Sequence, residues 1–173
     1  MKRKETAFFQ QQLVDALLRL MQRNSFEEIT ISEIAAEADV GRATFYRHFK
    51  TKDDLLVYEF KRLTDQWRAG LPALAAMPFL ARAEAYLEFL RDNRRYITQL
   101  AEAGKLDILE KYLVAVVVKH PEGSVYETYQ EYSSAYFFLG VVYVWIRRDF
   151  ADSPRELMEI MLRAVDVRNR QPR

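Results

Sequence analysis

Between Gly41 and Thr51 the chain gathers hydrogen-bond donors on one side of a short segment. Arg42, Thr44, Arg47 and His48 share that side, Tyr46 lies beside them, and no acidic residue falls between Arg42 and Lys52. Arg pairs bidentately with a guanine edge, a contact worth ~1–3 kcal/mol of discrimination. Phe45 and Phe49 stand four apart, so on a helix they share the opposite face and can anchor it to a hydrophobic body. A short, anchored, donor-rich helix can place side chains in a DNA major groove. Tyr46 and His48 also have a plainer reading as core residues, and the arginines as surface ion-pair partners.

Bulk charge does not make this case. The net charge is +1, and residues 1–60 hold nine Lys/Arg against ten Asp/Glu. Placement matters more, because a local patch can bind phosphate in a domain of neutral average. Four basic residues and His48 cluster between 42 and 52. Lys2, Arg3 and Lys4 form a second cluster, to be read as a phosphate or minor-groove arm or as a solvated tail.

The elements that must hold the donor-rich segment lie on either side of it. A first helix is expected from Thr6, as N-cap, to about Arg23, with Phe9, Leu13, Ala16/Leu17 and Leu20/Met21 as its apolar stripe. Phe26 and Ile29 plug the loop that follows. Thr30-Ile31-Ser32-Glu33 reads as a capping box, opening a short helix from Ile31 to Ala38. Asp39 then falls where a left-handed residue is wanted, with Val40 as the turn's plug and Gly41 as a weak N-cap. The pattern over 31–49 is helix, three-residue turn, helix. Elements this short need the first helix to cover them. Thr51 to Asp54 caps a fourth, longer helix carrying Leu56, Phe60, Leu63 and Trp67 and ending near Gly70-Leu71-Pro72.

At 173 residues, half of them hydrophobic, with five Gly, five Pro and no Cys, the chain is expected to be all-α. It should have about nine helices: a helix-turn-helix DNA-binding domain over 1–52 and a helical regulatory and dimerisation domain over 53–173. The lack of Cys fits a reducing cytosol, and Met1 to Lys4 leads into polar residues rather than an apolar leader, so a cytoplasmic protein without a membrane span is expected. No His/Asp/Glu cluster has metal-ligand spacing and no nucleophile or phosphate-loop motif occurs, so neither enzyme chemistry nor a cofactor is expected. Val114 to Val118 is β-branched, but no partner strand is in sight and it reads as helix.

Ala135 to Ile146 is twelve residues without a charge. It is too short to span a bilayer, which takes about 20 residues. A helix apolar on every side must be covered on every side, one face by the domain's own core and the other by a second copy.

The runs Ile29 to Ala35, Val40 to Phe49 and Lys52 to Leu56 resemble the TetR family of bacterial transcriptional regulators, over residues 6 to about 60. The resemblance implies a regulator, most readily a repressor, that binds a pseudo-palindromic operator as a homodimer and is released by a small hydrophobic or aromatic effector. A dimer without such an effector, acting through a protein partner or as an activator, is the alternative. It further implies that Thr30 touches phosphate, Arg42, Ala43 and Thr44 open toward bases, and Tyr46, His48 and Lys52 meet the backbone; in that setting Arg42 and Arg47 read as contacts to base or phosphate. Pairing of the last two long helices would put Phe138, Val142, Trp145, Leu157, Met161 and Ala164 in the dimer interface. Trp67, Tyr86, Phe89, Tyr96, Tyr112, Tyr129, Tyr136 and Phe137 are the aromatic residues available to an effector pocket, or else to the core.

Overall fold

Apolar residues three and four apart recur along nearly the whole chain, and the elements they build are helices. A computed structural model describes residues 2–71, 73–120 and 122–170, without the side chains of 2–5, 75 and 165–170. Among the described residues there are nine α-helices, one 3-10 turn (Leu74–Ala76) and no strand. They fall into two compact units, Met1–Leu71 and Pro72–Arg173.

The first unit contains α1 (Lys2–Leu20), α2 (Ile31–Glu37), α3 (Arg42–His48) and α4 (Lys52–Gly70). Helix α1 packs against each of the other three, as helices of seven residues require. Leu13, Val14, Ala16 and Leu17 supply its buried face, with Ile34, Ala35, Phe45, Leu55 and Leu56 from the other helices. Phe26 and Ile29 are buried as plugs of the α1–α2 loop. Two boundaries differ from the sequence expectation. Helix α1 starts at Lys2, so Thr6 lies inside it and does not cap it. The first unit also takes in all of α4, whereas the sequence boundary was expected after residue 52.

The second unit contains α5 (Phe79–Asp92), α6 (Arg94–Glu102), α7 (Asp107–Val117), α8 (Val125–Arg147) and α9 (Pro154–Arg170). Helix α8 packs on α6, α7 and α9, and α9 also packs on α5. The β-branched end of α7 is helical through Val117. Capping boxes open α8 (Ser124 with Glu127) and α9 (Ser153 with Glu156). The α8–α9 corner carries two successive left-handed residues, Asp149 (φ 52°) and Phe150 (φ 56°). Non-glycine residues reach that region at a cost of about 1–2 kcal/mol each. Phe150 is held there against Trp145, with ring centroids 4.8 Å apart, and the Trp145 indole N–H donates to the Asp152 carbonyl at 2.8 Å. Among the described residues no helix is long and apolar enough to cross a membrane.

Candidate nucleic-acid interface

The interface is built upward from two caps and a turn. The Thr30 hydroxyl accepts from the Glu33 backbone N–H at 3.2 Å, and the Glu33 carboxylate accepts from the Thr30 N–H at 2.8 Å. Those bonds start α2. It ends in a Schellman pattern: the N–H of Asp39 donates to Ala36 and that of Val40 to Ala35. Asp39 takes the left-handed position, φ 52°. Gly41, with extended backbone and no side-chain cap, then opens α3.

Helix α3 has two unlike faces. Phe45 is 0% exposed and Phe49 is buried beside it. Phe49 meets the Tyr58 ring of α4 edge-on at 5.6 Å, which joins the end of α3 to the fourth helix. On the other face Arg42, Ala43 and Arg47 are exposed, Tyr46 is 52% exposed, and Thr44 and His48 are half-buried. The anchored, donor-bearing geometry expected from residues 41–51 is therefore present.

The charges around this face are arranged asymmetrically. Three nearby acids, Glu33, Glu37 and Asp54, are engaged by other groups. Glu33 is tied to Thr30, and that hydrogen bond holds its carboxyl below the usual range. Glu37 takes Arg19 at 2.7 Å and Arg23 at 3.2 Å, with the Arg19 hydrogen bond lowering its pKa most. Burial alone would raise Asp54, but the N–H groups of Thr51 (2.9 Å) and Lys50 (2.8 Å), with the Thr51 hydroxyl, outweigh it and the pKa falls. Arg42, Arg47 and Lys50, by contrast, form no ion pair among the described residues. Lys50 is exposed at the end of α3 and joins the face. The sequence reading counted it in the basic cluster but named no DNA contact for it.

The caps set a pH dependence. A carboxylate whose folded pKa is depressed adds stability above its unfolded pKa, and that stability is lost as pH falls through the folded value. Glu33 and Asp54 start from ordinary values of 4.5 and 3.8. Urea midpoints of the protein should therefore hold level down to about pH 5 and decline below about 4.5. Thr51→Ala should cost about 1 kcal/mol at neutral pH and shallow that acid decline. A decline of undiminished steepness in Thr51→Ala protein would remove Asp54 from this role.

Lys52 is not where the resemblance puts it. Its ammonium turns inward and donates to the carbonyls of Phe26 (2.6 Å), Glu27 (2.9 Å) and Ile29 (2.9 Å). All three of its donors are thus used within the protein, so the expected phosphate contact by Lys52 is corrected. The side chains of Lys2, Arg3 and Lys4 lie outside the described residues.

The residues assigned to dimer and pocket are redistributed. Phe138, Val142, Trp145, Leu157 and Met161 are buried within the single chain, Trp145 at 0% exposure, and Ala164 is half-buried. The first five are core residues of their own protomer, not a surface for a partner. Among the residues exposed along α8 are Tyr129, Tyr132, Tyr136, Gly140 and Val144, three or four apart, and Ile160 is exposed on α9. Of the pocket aromatics, Tyr86, Phe89 and Tyr96 are buried. Tyr86 stacks on Phe89 at 5.8 Å and Tyr112 at 6.0 Å and contacts Phe138 at 6.1 Å, and burial pushes its hydroxyl pKa far up. Tyr112, Phe137 and Trp67 are half-buried, Trp67 in the first unit, while Tyr129 and Tyr136 are exposed. Tyr136 donates to Glu110 at 2.9 Å.

Three helices, with the second and third joined by a tight turn and the third presenting unpaired donors, define a helix-turn-helix unit of the DNA-binding type. Comparison with known proteins agrees. The model of bacterial regulatory proteins of the tetR family matches residues 13–58. The match covers the helix-turn-helix unit, residues 13–58 of the 173. An HTH-type transcriptional regulator of Staphylococcus aureus (strain USA300) is 28% identical over 114 residues, covering 59% of this chain and 58% of that protein. The Fatty acid metabolism regulator protein of Bacillus subtilis (strain 168) is 33% identical over 67 residues, covering 39% of this chain and 34% of that protein. The chain thus spans little more than half the length of the curated relatives it matches.

Proposed function

We propose that the protein is a cytoplasmic transcriptional regulator, a repressor that binds a pseudo-palindromic duplex as a homodimer. One observation carries this reading. On the outer face of α3 the cations Arg42, Arg47 and Lys50 are left unneutralised while Glu33, Glu37 and Asp54 are tied up. Arg42, Ala43 and Thr44 enter the groove first and read base edges. Tyr46, Arg47, His48 and Lys50 meet the phosphates, and Thr30 does so from the start of α2. No catalytic step is involved.

One α3 reads half a site, so two copies must be held at a set spacing. The surface proposed for this is the exposed stripe of α8 with Ile160 of α9. Gly140 supports it. A glycine inside a helix costs roughly 0.5–1 kcal/mol relative to Ala, and no atom outside its own helix backbone lies within 4 Å of where its Cβ would stand. Among the described residues nothing crowds that position, whereas close approach of a second α8 would call for a glycine.

A small hydrophobic or aromatic effector in the second unit would act by favouring a dimer geometry that misaligns the two α3 helices. The reading without an effector is favoured by the packing of Phe89, Tyr112 and Phe138 against Tyr86, which uses aromatic surface a ligand would need. Selection of bound sequences from a random duplex pool tests the function. An enriched inverted repeat is expected, and a pool that stays random through successive rounds would refute it.

A further inference from the structure

Lys52 opens α4, a position where a cation faces the positive end of the helix dipole and is disfavoured. A residue that breaks a local rule needs a compensating contact, and here the contact is tertiary. The ammonium's three hydrogens meet three carbonyls of the α1–α2 loop, those of Phe26, Glu27 and Ile29, at 2.6 to 2.9 Å. It also sits 4.6 Å from the centre of the Phe26 ring, where the π face attracts it. The loop it gathers ends at Ile29, next to Thr30, the N-cap of α2. Two phenyl contacts, Phe45 to Phe49 and Phe49 to Tyr58, tie the far end of α3 to the same helix α4. The helix-turn-helix is thus fastened to α4 at both ends, at its entry by Lys52 and at its exit by Phe49.

We propose that Lys52 is a positioning residue for DNA binding: it holds the α1–α2 loop as a bound cation would, and so sets the placement of α2 and α3 on α4 without touching phosphate. The inference rests on the DNA-binding reading. Its chemistry requires a tetrahedral ammonium. A guanidinium keeps the charge but presents a planar fork that cannot converge on the same three carbonyls. A lysine that served as a phosphate cation would be replaced well by arginine; this one is not.

The test compares wild type, Lys52→Met and Lys52→Arg for affinity to a selected duplex across a salt series. Both variants should bind roughly tenfold more weakly, as a site does when its supporting contacts are lost. Their salt slope should match that of the wild type, because no phosphate contact is removed. Losing one such contact would lower the slope by about 0.9. Hydrogen exchange at the amides of residues 26–31 should quicken in both variants, which separates positioning from loss of charge. In the wild-type protein, the Nζ resonance of Lys52 should stay in place when duplex is added, a readout that does not depend on either variant folding. Full affinity in Lys52→Arg, a slope reduced by about one in Lys52→Met, or an Nζ shift on adding duplex would each overturn the proposal. If the wild type binds no duplex while exchange still quickens in the variants, the regulator reading fails, and the positioning role with it. The loop clamp would then stand as a stabilising contact alone.

Discussion

Replacing Arg42 and Arg47 together by alanine is expected to abolish operator binding while leaving the protein folded. Both side chains are exposed and form no ion pair among the described residues, so their loss removes no internal contact. Substitutions of that kind change stability by no more than about 0.5 kcal/mol. On the proposed reading the same groups meet bases or phosphates in the complex, and a bidentate base contact is worth ~1–3 kcal/mol. Two such losses in each of two protomers should weaken binding by on the order of 100-fold or more, since 1.4 kcal/mol is about a factor of ten. Circular dichroism would confirm the fold, and fluorescence anisotropy would read the affinity. A double variant that keeps its affinity would move the interface off α3.

The second large effect is expected from a substitution in the second unit. Gly140→Arg should leave each protomer folded, because open space surrounds the Cβ position and arginine is a better helix former than glycine. Against a second α8 the same side chain adds bulk and a charge to an uncharged surface. Light scattering should then show the 20.4 kDa monomer where the wild type shows twice that mass. Operator affinity should fall by on the order of 10²–10³-fold, because the second half-site is no longer bound as an intramolecular event. An undisturbed dimer in Gly140→Arg would place the partner surface elsewhere. A wild type that is itself monomeric at micromolar concentration would remove the dimer altogether.

How much of this was legible in the sequence follows from the range of the forces concerned. The capping boxes of Thr30 with Glu33 and Thr51 with Asp54 span three residues and depend on local geometry alone, and both are present as read. The left-handed Asp39 and the Phe45/Phe49 anchor are equally local, and are likewise present as read. Lys52 was misread because its partners lie 23 to 26 residues away, and only tertiary packing brings them to it. Helix α1 begins before Thr6, although residues 2–5 carry no apolar period to announce a helix.

The interface residues on α8 failed for a different reason. Periodicity places a buried face by contrast with a polar one, and Ala135 to Ile146 has almost no polar residues to supply the contrast. The helix was legible but its rotation was not. Phe138, Val142 and Trp145 were therefore put on the outer side, although they pack inward. On the proposed reading Gly140 marks the outward side, since a glycine between large residues allows a neighbour to come close.

The most direct test of the whole account is the mass and salt dependence of the complex on a duplex selected from the random pool. Two protomers per duplex are expected, protecting half-sites about one helical turn or more apart. The logarithm of affinity should fall steeply and linearly with that of salt, by about 0.9 per phosphate neutralised. One protomer per duplex, or an affinity indifferent to salt, would contradict it.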